Sequence, residues 1–259
     1  MIRNISETAQ AIKQMEQYLR INGIIKDSKT DGKTSQRGLS DHIRAMVYSM
    51  LSAQNKWERI EKKKEQIDAI FYDYDPERIN AESPEDFTNK IIDISCGTQR
   101  IKSQMMALKE NIEKLKSFEK QCGSVDEYYQ NLINEDGSLK KLVRSLSEYN
   151  SKDKMGEMGV ALVAEYLRNV GYDLPKPDRH IRRILGNKIL ACSEKKIVPE
   201  FEVFDIIAEL SKELGMPAAE VDYILWTYCA DKYGEICTVS DPKCDTCVTK
   251  EYCQTGSKA

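Results

Sequence analysis

Apolar residues return along this chain at helical spacing. Between Asp41 and Leu51 they fall at Ile43, Met46, Val47, Met50 and Leu51, one face of a helix at i, i+3, i+4, i+7 and i+8. Ser40 or Asp41 is placed to cap that helix. A second stripe runs through Ile101, Met105, Leu108, Ile112 and Leu115. A third takes in Met155, Met158, Leu162, Val163, Tyr166, Leu167 and Val170. A fourth, Val203, Phe204, Ile207, Leu210 and Leu214, stops at Gly215, and Pro217 opens the next helix with Val221, Ile224, Leu225 and Tyr228. Ser83-Pro84-Glu85-Asp86 reads as a helix start, with Ser83 as cap and Pro84 where the first turn needs no N–H. No period-two run bounded by turn residues appears, so an all-α fold is expected.

Two segments interrupt the helical pattern. Residues 25–38 are polar, carry two glycines and have no apolar period, and read as a loop or linker. Gly171–Pro177 holds two prolines in a short stretch and reads as a rigid connector. The N-terminal helix, at roughly residues 4–22, lies ahead of the first break.

Composition narrows the function classes. A hydrophobic fraction of 41% supports a packed core, and 39 Lys+Arg against 42 Asp+Glu leave a formal charge of −3. A protein that is basic all over is excluded, so any surface for a polyanion must be local. No apolar run is long enough for a transmembrane helix, and MIRNISETAQ lacks the apolar core of a secretory signal, so a cytoplasmic location is expected. With only His42 and His180 present, histidine-rich metal sites are excluded.

The eight cysteines divide into two groups. Cys96, Cys122, Cys192 and Cys229 are scattered and read as small core residues. Cys237-x6-Cys244-x2-Cys247-x5-Cys253 brings four thiols within reach of one metal centre through loops that cost little entropy to close. The spacing accepts zinc or an iron–sulfur cluster.

The run YGEICTVSDPKCDTCVTKEYC resembles the 4Fe–4S loop of endonuclease III-like, helix-hairpin-helix DNA glycosylases. Leu51-Ser52-Ala53-Gln54 is similar to a segment of that family that follows an amphipathic helix. Pro177-Asp178-Arg179-His180-Ile181-Arg182-Arg183-Ile184 is similar to the segment around its catalytic aspartate. Met158-Gly159-Val160-Ala161 through Tyr172 is similar to its helix-hairpin-helix element, with a flavour of the archaeal 8-oxoguanine branch. The matches keep the family's order from about residue 40 to 253.

The resemblance implies a two-domain, all-α glycosylase fold with a C-terminal 4Fe–4S loop. Residues 1–39 would pack on the cluster domain, 40–170 would form a bundle ending in the hairpin, and 171–259 would carry the aspartate helix and the cluster. It implies Asp178 as catalytic carboxylate and Cys237, Cys244, Cys247 and Cys253 as cluster ligands, with zinc as the alternative metal. It implies DNA contacts from Gln54, which would fill the space left by a flipped base, and from Gly156 and Gly159 of the hairpin; the cations beside Asp178, namely Arg179, Arg182, Arg183 and Lys176, are placed to neutralise phosphates. The partner would be double-stranded DNA, bound by a monomer, and the reaction base-excision hydrolysis of a damaged or mismatched base.

Two departures stand out. Glu157 lies between the hairpin glycines, where an acid opposes a phosphate. The position at which bifunctional members carry a nucleophilic Lys falls on Val160 or Ala161, so strand-cleaving lyase chemistry is not expected. Competing readings are a catalytically inactive DNA-binding member of the same fold and a zinc-stapled helical interaction module. Asp178 also reads simply as a helix cap, and the α-helical arginines as a solvated face.

Overall fold

A computed structural model describes residues 4–25, 37–134 and 138–256. Of the loop expected over 25–38, residues 26–36 lie outside the described residues. Among the described residues there is no strand, and no helix is long and apolar enough to cross a membrane. In chain order the α-helices are α1 (Ile5–Ile21), α2 (Leu39–Ser52), α3 (Trp57–Glu61), α4 (Lys64–Ile70) and α5 (Pro76–Ala81). They continue with α6 (Pro84–Asp93), α7 (Ile101–Cys122), α8 (Val125–Asn134), α9 (Leu139–Ser147) and α10 (Val160–Asn169). The last three are α11 (Arg179–Ile184), α12 (Glu200–Leu214) and α13 (Ala218–Cys229). Two compact units result, one made of Thr34–Tyr172 and the other of Met1–Lys33 with Asp173–Ala259.

The unit of residues 34–172 is built around α2, α7 and α10. All five residues of the first stripe are buried, as are Ile101, Met105, Leu108, Ile112 and Leu115 on α7. The third stripe is helical only from Val160; Met155 and Met158 are buried in the non-helical hairpin ahead of α10. Ser83 caps α6 as its sequence indicates, its hydroxyl accepting the Asp86 N–H at 3.1 Å. At α2 the cap is Gly38 instead of Ser40 or Asp41. The helix begins at Leu39, and Asp41, already in its first turn, reaches back to accept the Gly38 N–H at 3.0 Å.

This unit also buries a polar network. His42 is wholly buried, its Nδ1 2.7 Å from the Tyr166 hydroxyl and its Nε2 3.4 Å from Asp126. The Tyr166 and Tyr129 hydroxyls are 3.0 Å apart. Asp126 also accepts from the Arg37 N–H at 3.1 Å and the Tyr172 hydroxyl at 3.4 Å. The hydroxyls and the His42 Nδ1 thus find partners, while His42 Nε2 has only the ion-pair contact with Asp126.

The other unit has a mainly aliphatic core. Ile12, Met15 and Leu19 of α1 pack with Ile206, Ile207 and Leu210 of α12 and with Val221, Ile224, Leu225 and Tyr228 of α13. Gly215 ends α12 in the left-handed region at φ +67, and the Met216 N–H returns to the Ser211 carbonyl at 3.2 Å. Of the scattered cysteines, Cys96, Cys192 and Cys229 are buried. Cys122 is the exception: at the last position of α7 it is only half-buried, and it accepts a hydrogen bond from Asn131 at 3.5 Å.

Candidate active site and cysteine loop

The connector after Gly171 is tied down residue by residue. Both oxygens of Asp173 accept N–H groups from the first turn of α13, from Ala219 at 2.8 Å and Ala218 at 3.1 Å. The Lys176 N–H donates to Asp222, a buried residue of α13, at 3.0 Å. Pro175 and Pro177 fix the backbone between these anchors. The result is a rigid approach to Asp178, the N-cap of α11. Asp178 Oδ1 accepts the N–H groups of His180 at 2.8 Å and Ile181 at 3.1 Å. One oxygen serves both bonds, which leaves Oδ2 outside the cap. Ile181 and Ile184, fully buried, fix the helix behind it. Burial holds the His180 pKa below the usual histidine value.

The α11 arginines divide. Arg179 is exposed. Arg182, expected at DNA phosphates, turns into its own unit: its Nε donates to the Val198 carbonyl at 2.7 Å and its guanidinium lies 3.9 Å from Glu200. It therefore holds the segment that enters α12. Arg183 reaches the cysteine loop, donating to the Cys237 carbonyl and, at 3.5 Å, to Cys237 Sγ.

Three of the four loop cysteines have a donor on sulfur. Besides Arg183 on Cys237, the Tyr228 hydroxyl donates to Cys247 Sγ at 3.4 Å and the Gly256 N–H to Cys253 Sγ at 3.3 Å. Cys237 is pulled down to about 6 by the Cys229 thiol and by Arg183, against the effect of burial. Cys244 is exposed, and partial desolvation with the sulfurs of Cys247, Cys253 and Cys237 raises its pKa. Cys244 thus feels the other three sulfurs of the loop. Among the described residues, however, no group of three or more His, Cys, Asp or Glu side chains is arranged to hold a metal ion.

In the unit of residues 34–172, Gln54 is exposed and adopts φ +55, unusual for a residue with a side chain. The turn is pinned from both sides. Gln104 donates to the Met50 carbonyl at 2.9 Å, and Asn55 donates to the Cys96 carbonyl at 3.0 Å. A left-handed residue costs about 1–2 kcal/mol, which surroundings of this kind must offset.

The hairpin between α9 and α10 is equally specified. Asn111 of α7 accepts the Gly156 N–H at 2.7 Å and donates to the Gly156 carbonyl at 3.0 Å. A Cβ on Gly156 would come within 2.9 Å of the Ala107 Cβ. Gly156 is thus a packing glycine whose N–H is already taken. Gly159 caps α10, is exposed, and has open space where a Cβ would lie. Glu157 is paired with Arg100 at 2.9 Å, so its charge is met within the protein. Lys154 donates to the carbonyls of Met155 at 2.7 Å and Met158 at 2.5 Å, and Lys114 to that of Lys154.

Asp173, Asp222, Arg100, Asn111, Lys114 and Tyr228 take roles that a reading of the sequence misses, because each meets a partner far away in the chain. Of these polar side chains Asp222 and Asn111 are buried and Asp173 and Arg100 exposed, and spacing along the chain marks neither kind.

A family model described as methyladenine glycosylase matches residues 32–173, more than half of the chain. No curated protein sequence matches it significantly. Among solved structures the chain is similar to a trapped endonuclease III–DNA covalent intermediate in an estranged-adenine complex. That similarity has a TM-score of 0.66 and 12% identity over 100% of this chain and 99% of the other. It is also similar to the Methanocaldococcus jannaschii 8-oxoguanine glycosylase/lyase in complex with 15mer DNA containing 8-oxoguanine, with a TM-score of 0.53 and 19% identity over 84% and 95%. A second structure of the 8-oxoguanine DNA glycosylase from that organism gives 0.51 and 19% over 87% and 96%. The fold is that of the helix-hairpin-helix glycosylases. The family match ends at 173, short of both Asp178 and the cysteine loop.

Proposed function

This chain belongs to the methyladenine glycosylase family, and we propose that it is a base-excision DNA glycosylase that hydrolyses the N-glycosidic bond of a damaged base in duplex DNA, acting as a monomer. The family match over residues 32–173 carries the reading, and a methylated adenine is the first lesion class it points to. Asp178 supplies the chemistry. Its Oδ1 is fixed by two helix N–H groups, so Oδ2 is free to face the sugar. As the base departs with its electron pair, positive charge develops on the sugar ring, and a fixed carboxylate stabilises it. Water then adds at the same carbon, with its proton passing to Asp178 or solvent.

Base extrusion costs a few kcal/mol, and the exposed, rigidly held Gln54 side chain is suited to occupy the vacated space. Arg179 and the N-terminus of α10 at Gly159 are the proposed phosphate contacts. The structure favours keeping Arg182 and Gly156 in positioning roles. Val160 and Ala161 offer no nucleophile and the Lys154 amine is committed to carbonyls, which supports hydrolysis without lyase cleavage.

The donor set of Cys237, Cys244, Cys247 and Cys253 fits a 4Fe–4S cluster, with zinc the alternative: three of the sulfurs carry hydrogen-bond donors that favour the thiolate a metal requires. When bound, such a group supplies a cross-link that holds residues 237–253 in one shape.

Duplexes each carrying one lesion, methylated adenine first, test the proposal. Base release by the wild-type protein, with release lost and binding kept in Asp178→Asn, is expected. Duplex binding without release from any lesion would instead select an inactive DNA-binding member. Trapping of a covalent DNA adduct by borohydride would overturn the hydrolytic assignment.

A further inference from the structure

Tyr228, near the end of α13, meets the cysteine loop through both its backbone and its side chain. Its carbonyl accepts the N–H groups of Ile236 at 3.1 Å and Cys237 at 3.3 Å. Its hydroxyl accepts the Val248 N–H at 3.2 Å and donates to Cys247 Sγ at 3.4 Å. One residue therefore touches two of the four cysteines. The side chain is wholly buried, and Tyr18 of α1 packs edge-on against its ring, with centroids 6.0 Å apart at 81°. Cys247 has a second hydroxyl neighbour, because Thr249 is buried with its Oγ1 3.5 Å from the same sulfur. The aliphatic core around the ring has no use for a hydroxyl, and Phe would fill the same space. Burying a hydroxyl costs free energy unless a good acceptor meets it. A neutral thiol is a weak acceptor, whereas the thiolate that binds a metal is a strong one. The Tyr228–Cys247 pair thus reaches full strength only when the loop holds its metal.

We propose that Tyr228, with Thr249 beside it, sets the reduction potential of the iron–sulfur cluster through Cys247, holding the cluster toward its more reduced state and away from oxidative loss. The inference rests on the 4Fe–4S reading of the cysteine loop given above. Hydrogen bonds to ligand sulfur are among the factors that set the potential of such a cluster. An added electron places more negative charge on the sulfurs, and a donor fixed in a buried site stabilises that charge more than water-exposed groups would. Removing the donor lowers the potential and makes the cluster easier to oxidise. Tyr228 acts through Cys247 and takes no part in base release.

The test is the midpoint potential of the cluster-loaded full chain by film voltammetry, with iron content and visible absorbance showing that the cluster is intact. Tyr228→Phe is expected to shift the one-electron equilibrium about tenfold toward the oxidised form, a fall of about 59 mV. Its visible absorbance should also bleach faster under air. A ring-fluorinated tyrosine at position 228 keeps the packing and donates more strongly, so its midpoint should rise. Tyr18→Phe keeps the ring edge and the hydroxyl bond, and should keep the wild-type potential. A merely structural role for Tyr228 would change the melting temperature without these opposite shifts in potential. An intact cluster with an unchanged midpoint in Tyr228→Phe, or an equal shift in Tyr18→Phe, would overturn the inference and leave the cluster reading standing. A purified wild-type protein that holds zinc or no metal would overturn the cluster reading and this inference with it.

Discussion

In the unit of residues 34–172 the hairpin is held by polar side chains reaching in from elsewhere. Asn111 takes both backbone groups of Gly156, Lys154 and Lys114 take carbonyls, and Arg100 takes Glu157. In the other unit the loop after α13 rests on the end of an aliphatic core, with Arg183, Tyr228 and the Gly256 N–H directed at cysteine sulfur. The first loop is satisfied by protein alone. The second presents sulfur acceptors, and it is these sulfurs that would hold the metal proposed above. The family match covers all of the first unit and stops before the second's Asp178 and cysteines. The family match therefore carries the hairpin unit, while the roles of Asp178 and the four cysteines rest on the sequence resemblance.

The comparison breaks most readily at the cysteines. Cys247→Ser is expected to lose bound iron or zinc by elemental analysis and to unfold at markedly lower temperature, since a structural metal contributes on the order of 10 kcal/mol in small domains. Unchanged metal content and melting would show that this loop, too, is held by protein alone. Next in size is the aliphatic core: Leu210→Ala on α12 should cost about 2–5 kcal/mol in urea denaturation. Asn111→Ala should cost about 2–3 kcal/mol by the same measurement, because it leaves two backbone groups of the hairpin without their partner. A loss well under that range would mean the hairpin does not depend on α7.

Tyr166→Phe should cost about 1 kcal/mol, the net value of an ordinary buried hydrogen bond. The same network sets a pH dependence. Burial alone would raise the Asp126 pKa, but His42, the Arg37 N–H and the Tyr172 hydroxyl bring it below the ordinary carboxylate value. A carboxylate depressed in the folded state contributes stability that is fully present above its unfolded pKa of about 3.9 and is lost as pH falls through the folded value. Asp126→Asn should remove that part of the acid dependence, so stability curves of the two proteins should converge as pH drops below about 4. Parallel curves would separate Asp126 from acid unfolding.

Local order and the apolar faces were determined by the sequence itself. The stripes on α2, α7, α12 and α13, the Ser83 cap, the Gly215 stop and the position of Asp178 at a helix start follow from periodicity and capping chemistry, which act over a few residues. The cysteine spacing is equally local. Only the tertiary structure decided what the polar residues do. It turned Arg182 onto Val198 and Arg183 onto Cys237, paired Glu157 with Arg100, and gave the Gly156 N–H to Asn111, 45 positions away in the chain. A polar side chain has several possible partners and no period that marks which one it meets. Its role is settled when folding places one unsatisfied group within about 3 Å of another and excludes the water that would otherwise serve both.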